Sequence, residues 1–384
     1  MDRLDAVVFN DAWGSHVAIA SLRGLPIPTA LPESELWMGA HESGPSGTGR
    51  PGAPDLAALV AADPRRELGD ACVDRHGERL PFLLKVLAPG RAISIQVHPS
   101  AEQARELRAL TGDTVYVDDS AKPELLLAVS PFEVFVGMRD PEEVEHLADR
   151  LHVPGFGRAV AAGRGAPDPT HAVLRAVLET PPVEVPSLTR EVVAACLRLA
   201  EDPDELGTAA AAVVQVAEQH PDDIGLVVLL LMHHRVLRPG EYIDVAAGVL
   251  HSYVHGLGIE VLANSDNVVR AGLTSKEVNV PELLRIVDPA ADGIAGRPEP
   301  LADGIEVYPS ASDRFLLHRV VPGRELPGEV GPRIVFCLRG SVRVASAHGA
   351  LELGDAESAF LPHTEGPARL EGNGEVYVVT VPGL

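Results

Sequence analysis

Hydrophobic positions along this chain change their period twice. From the N-terminus to about Gly137, short runs rich in β-branched and aromatic residues, such as "AISIQVH" and "FEVFVGM", alternate with Gly, Pro and Asp. That texture predicts an antiparallel sandwich or barrel. From Asp140 to about Leu237 apolar residues recur every three or four positions. "DPEEVEHLADRLH" offers Asp140 as N-cap, Pro141 at the first helical position and Glu143 three residues past the cap. "SLTREVVAACLRLAE" and "DELGTAAAAVVQVAEQH" continue the helical period, while "GRGAPDPT" and "ETPPVEVPS" read as connectors. "IGLVVLLLM" from Ile224 reads as an apolar helix ending in His233 and His234, where a cation suits the helix dipole.

After "RPGE" at Arg238 the strand period returns in "YIDVAAGVLHSYV", and "ADGIEVYP" near Ala302 opens a last section of short strands. The expectation is a mainly β chain with an inserted helical segment. Residues 1–138 and 238–300 form one β unit, 139–237 the insertion, and 301–384 a C-terminal β unit.

With 384 residues, 46% of them hydrophobic, the chain can bury a large core. The run from Ile224 is about half of the roughly 20 residues a membrane-spanning helix needs. A net charge of −23 argues against nucleic acid or an anionic membrane as partner, so an anionic small substrate needs a local cationic pocket. Cys72, Cys196 and Cys337 are far apart with no CxxC pair, which fits a reducing compartment and no thiolate metal site. Without a charged-then-apolar N-terminal segment, the expected location is the cytoplasm.

Gln96 and His98 in "SIQVHPS" are two apart in a strand pattern, so both point to one face. Alone, that pair reads more readily as buried polar side chains satisfied by backbone than as ligands. "AGVLHSYVHGLGIEV" adds His251 behind a Gly turn, and "KPE" adds Glu124. Two imidazoles, a carboxylate and an amide oxygen make a mixed N/O shell suited to zinc, with manganese, iron or cobalt as alternatives. Lys+Arg total 32, yet only Lys85, Lys122 and Lys276 are lysine. Where arginine serves as the generic surface cation, a retained lysine points to a need for a compact, titratable ammonium.

"SIQVHPS", "YVDDSAKPELLLAVSPFEVFVGMRD", "RPGEYIDVAAGVLHSYVHGLGIEVLANSDNVVRAGLTSKEVNVPELL", "DAWGS" and "ESELWMGAHESGPS" together resemble type I mannose-6-phosphate isomerases. The resemblance implies cupin-type jelly-roll barrels and one zinc per chain held by Gln96, His98, Glu124 and His251. It implies a sugar phosphate as the small-molecule partner, with neither nucleic acid nor membrane involved, in a monomer that interconverts mannose 6-phosphate and fructose 6-phosphate. The family's arginine falls on Arg270. On this reading Arg270 and Lys122 stabilise an enediolate or shuttle protons, while Ser94, Lys85 and Lys276 are candidates for the phosphate.

The chain also departs from the family. Ser120-Ala121 stands where the family has Asn-His before the KPE, and Asp11 stands where Tyr is common. Either the histidine is dispensable, or the protein is a metal-binding cupin with altered or lost isomerase activity that acts as a sugar-binding module. Asp266, His255 and Glu260 are the substitutes for the missing proton carrier, Asp266 first. His41 lies in a Gly/Ser/Pro loop, read equally as near the pocket or on the surface.

Overall fold

A computed structural model describes residues 1–276, 278–328 and 330–384. Three antiparallel sheets stack with helices on the outside. The seven-stranded sheet runs in the order Ile294–Gly296, Tyr242–Val245, Glu124–Ala128, Gly258–Ala263, Phe82–Leu87, Glu35–Met38 and Val7–Phe9. A five-stranded sheet runs Met232–Leu237, Phe132–Met138, His251–His255, Ile95–Val97 and Val269–Gly272.

Strand parity decides what fills the space between these two sheets. Along Phe82–Leu87, the side chains of Phe82, Leu84 and Val86 join one core, which includes the C-terminal sheet through Phe336, Phe360 and Val379. Leu87 points the other way, into an apolar cluster with Leu126, Val134, Val136, Ile243 and Tyr253 drawn from both sheets. This inter-sheet core is close-packed, and truncating Leu126 to Ala costs about 2–5 kcal/mol. The outer face of the five-stranded sheet, through Ile95, Val97, Phe135 and Val269, packs on the helical segment. Because side chains alternate, Lys85 (in register with Leu83 and Leu87), Glu124, Gln96, His251 and Arg270 all lie on the inter-sheet side.

The helical segment forms as its punctuation predicts. Helices Pro141–Leu151, Pro154–Ala161 and Pro169–Leu178 each open on proline, whose fixed φ and missing N–H suit the first turn. At the first of these, Asp140 N donates to Glu143 Oε2 at 3.1 Å. Helices Val185–Leu199 and Glu205–Ala217 follow, the latter capped by Asp204, whose carboxylate accepts from Gly207 N at 2.8 Å.

Three expectations need correction. Helices hold nearly as many residues as strands, since Leu56–Ala62, Pro64–Leu68, Asp70–His76 and Ala101–Thr111 interrupt the N-terminal third. The chain is mainly β only in its sheets, and among the described residues none of the sheets closes on itself, so the barrel form is not seen. His233 and His234 do not end a helix. The helix stops at Leu230, and both lie in the strand Met232–Leu237, paired with Phe132–Met138. There His234 Nε2 meets Glu133 Oε1 at 2.8 Å, so sheet pairing overrides the local helical period. Asp2–Leu4 pairs with Glu357–Leu361, which places the first strand in the C-terminal sheet. No helix among the described residues is long and apolar enough to cross a membrane.

Candidate active site

Register brings the chemistry together. On the five-stranded sheet, His251 stands opposite Gln96, and Gln96 stands opposite Arg270, so the three lie abreast on one face about 5 Å apart. On the facing sheet, Trp37, Lys85 and Glu260 form a second row. Glu124, at the start of Glu124–Ala128, reaches between the rows: its carboxylate oxygens lie 3.3 Å from His98 Nε2 and 3.4 Å from His251 Nε2.

These contacts are not ordinary hydrogen bonds. His98 Nδ1 lies 2.7 Å from Asn267 O, and His251 Nδ1 lies 3.1 Å from Val249 O. A carbonyl oxygen can only accept, so each Nδ1 carries the hydrogen, and in the neutral ring Nε2 is a bare lone pair. Burial pushes the His98 imidazole down to about 4, so this ring is neutral at pH 7. Its Nε2 is buried with no hydrogen-bond partner among the described residues.

Lone pairs aimed at a carboxylate repel unless a cation lies between them. The three ligand atoms fall within 4.8 Å of one another, and the two N···O spacings match the roughly 3.3–3.4 Å edge of a tetrahedron with bonds of about 2.0–2.1 Å. Gln96, opposite His251 on the same face, offers an amide oxygen: its Nε2 donates to Ser94 Oγ at 3.1 Å, and its Oε1 has no hydrogen bond among the described residues. The residues present therefore fit a divalent metal of the zinc type.

The surrounding charges are arranged in layers. Lys122 Nζ lies 3.0 Å from Glu124 Oε1. Although burial raises the Glu124 carboxyl, Lys122 and the histidines hold it well below the usual carboxylate range. Lys85 is buried between Glu35 at 3.4 Å and Glu260 at 3.5 Å, with its ammonium 4.9 Å from the centre of the Trp37 ring. Burial lowers its pKa, but Glu35 and Glu260 outweigh that and raise it, so Lys85 is charged. Burial, then the nearby Glu124, pushes the Glu260 carboxyl up to about 7.

Asp266 sits half-exposed, 3.3 Å from Nε2 of the buried His41; this hydrogen bond holds its carboxyl below the ordinary value. His41 is thus buried against Asp266 and is not a surface-loop residue. Arg270, Ser94 and Lys276 line one cavity of about 580 Å³ with Gln96, Trp13 and Glu35. Desolvation alone lowers the Arg270 pKa, and it makes no ion pair among the described residues. Lys122, Lys85 and Asp266 are not among the side chains lining that cavity. His255 is exposed at the far end of its strand from His251, in a groove with Ser130 and Arg339.

Asn267 escaped the sequence reading. Besides accepting from His98, its Nδ2 donates to Asp118 O at 2.8 Å and Ser120 O at 3.0 Å, while Val117 N donates to its Oδ1 at 2.9 Å. It fastens the loop carrying Ala121 and Lys122 to the residue that orients His98. Its only signal in the sequence is its place in "NSDNVVR".

Residues 1–141 match the family model for the phosphomannose isomerase type I catalytic domain. The chain is 32% identical to the mannose-6-phosphate isomerase of Escherichia coli (strain K12) over 395 aligned residues, covering 98% of each. It is 28% identical to mannose-6-phosphate isomerase 1 of Arabidopsis thaliana, over 88% of this chain and 82% of that one. Among solved structures, the apo form of mannose 6-phosphate isomerase from Salmonella typhimurium superposes with a TM-score of 0.88 at 29% identity over 99% of both chains. A mannose 6-phosphate isomerase bound with zinc and yttrium does so at 0.88 and 30% identity, also over 99% of both.

Proposed function

Because the chain belongs to the type I mannose-6-phosphate isomerase family, we propose that this site carries out the family's aldose–ketose chemistry, with roles divided among the residues just described. The protein interconverts mannose 6-phosphate and fructose 6-phosphate with zinc as its metal. The observation that carries this reading is the meeting of two imidazole Nε2 atoms and the Glu124 carboxylate at 3.3 and 3.4 Å. Gln96, His98, Glu124 and His251 would hold the metal; when bound, zinc supplies Lewis acidity toward sugar oxygens.

In the forward reaction a proton leaves C2 and returns to C1, while the hydroxyl proton passes from O2 to O1 through an enediol. Asp266 is kept ionised by His41 and lies close enough to Lys122 and Lys85 to feel their charges, so this reading gives it the carbon-bound proton. Arg270 faces the cavity without a carboxylate partner among the described residues, so its charge is available to a developing enediolate. Lys122, tied to Glu124, is placed to exchange a hydroxyl proton. Ser94 and Lys276 lie on the same cavity as Arg270, which supports them as phosphate contacts. Lys85, doubly paired with Glu35 and Glu260, is better placed to fix that row than to bind phosphate.

Ala121 lies in the loop pinned by Asn267, and this reading gives the absent histidine's task to Asp266. We read the site as the interior of a cupin-like sandwich in residues 1–138 and 238–300. The unbonded, buried state of all three cysteines supports a reducing, cytoplasmic setting. A coupled assay for fructose 6-phosphate formation, with metal analysis of the same sample, tests the function. Turnover by the zinc-loaded protein that is absent in Glu124→Ala is the expected result; no difference between the two would falsify it.

A further inference from the structure

The cavity beside the ligand cluster has an unequal charge balance. Its carboxylates are already engaged: Asp11 Oδ2 accepts from Ser34 Oγ at 2.9 Å, and Glu35 accepts from Lys85 and from Trp37 Nε1 at 2.5 Å. Its cations Arg91, Arg270 and Lys276 form no ion pair among the described residues. In a chain of net charge −23, three cations around one cavity, unpaired among the described residues, make a local anion site.

Arg91 stands apart because of what holds it. Its backbone N–H and that of Gly90 donate to Trp13 O at 3.0 and 2.9 Å. From the other side, the turn after the helix Glu205–Ala217 clamps the same loop. Arg91 Nη2 donates to Gln219 O at 3.2 Å, Ala92 N donates to Gln219 Oε1 at 2.8 Å, and His220 Nε2 donates to Ala92 O at 3.1 Å. One guanidinium nitrogen fixes the fork in place, and its remaining N–H groups are left for a ligand. His220 itself lines the cavity.

Resting on the isomerase reading, we propose that Arg91 contacts the substrate's phosphate, and that Gln219 and His220 of the helical segment are positioning residues that hold it there. The helical segment is then part of the substrate site, because it fixes the planar donor fork that a phosphate monoester accepts from.

Three variants of the zinc-loaded protein test this. Arg91→Gln raises the KM for mannose 6-phosphate at least tenfold while kcat changes less than threefold, the signature of lost uniform binding. His220→Ala raises KM at least threefold, and His220→Gln, which keeps a donor for Ala92 O, restores it. Calorimetric titration with inorganic phosphate needs no turnover and is expected to weaken at least tenfold in Arg91→Gln. A KM and a phosphate affinity within twofold of wild type in Arg91→Gln would overturn the proposal, as would absence of phosphate binding by the wild type. Arg91-dependent phosphate binding in a wild-type protein without turnover would instead leave the anion site standing and remove the isomerase reading.

Discussion

The carbonyl oxygen of Asn267 accepts the Nδ1–H of His98 at 2.7 Å, while the side chain of the same asparagine holds the backbone of Asp118 and Ser120. One buried residue thus sets both the orientation of a ligand imidazole and the loop that delivers Lys122. Partners of this kind behind ligands are worth about 10–100-fold in metal affinity or activity. In Asn267→Ala the backbone carbonyl remains but the loop anchor is lost, so turnover is expected to fall at least tenfold with most of the metal retained. Steady-state kinetics with metal analysis would read this; full activity would reduce Asn267 to a packing role.

Glu124 is the only carboxylate among the described residues that meets both ligand imidazoles. Glu124→Gln keeps the shape but removes the charge, so bound metal is expected to drop below one tenth per chain after dialysis against a chelator. The wild-type protein stripped more harshly is expected to lose turnover and regain it on adding zinc. Metal retained by the variant would show that the carboxylate is not a ligand.

Lys122 lies 3.0 Å from that carboxylate, and there a compact, titratable ammonium differs in shape and acidity from a permanently charged planar fork. Lys122→Arg preserves charge, so its metal content is expected to hold while turnover drops at least tenfold, about 1.4 kcal/mol of barrier. An unchanged rate would leave Lys122 as a counter-ion to Glu124.

Asp266 and His41 form a hydrogen-bonded pair. Asp266→Asn removes the proposed base and is expected to cost at least a hundredfold in kcat, since a positioned base contributes about 10²–10⁴. His41→Ala acts through Asp266, and its smaller loss should come with a rise in the acid-limb pKa of the rate profile, because the hydrogen bond that lowers the Asp266 pKa is gone. An Asp266→Asn variant with wild-type kcat would shift the search to Glu260.

Acid stability depends on a different histidine. His318 is buried in the C-terminal sheet with Nε2 3.1 Å from Thr380 Oγ1, and burial pushes its imidazole from 6.5 down to about 4. The unfolded chain therefore takes up a proton near pH 6.5 that the folded chain refuses until about pH 4. This group's contribution is intact above 6.5 and is lost as pH falls through that window. At pH 5 the loss is about 2 kcal/mol. Urea unfolding at pH 7 and pH 5 should show a smaller drop for His318→Leu than for the wild type; equal drops would exclude His318 as the source.

Much of the site was legible because strand parity is local. Gln96 and His98 share a face by their spacing alone, and Glu124 beside Lys122 could be gathered as chemistry before any contact was known. Scarce lysine marked Lys85, Lys122 and Lys276, which the structure separates: Lys85 in a buried carboxylate pair, Lys122 on Glu124, and Lys276 on the cavity wall. Asn267, Glu35 and Arg91 were not legible. What marks each is a partner, respectively 169, 50 and 128 positions away, and no local pattern encodes that pairing.

Residue chemistry and periodicity by themselves determined that this chain carries a helical segment between β-rich stretches and a metal-suited set of side chains. Only tertiary structure decided that His233 and His234 are strand residues, that the first strand joins the C-terminal sheet, and that two rows of polar residues face each other across one interior. The reason is physical: alternation fixes which side chains share a face, but which faces meet depends on burial and backbone pairing between segments far apart in the chain.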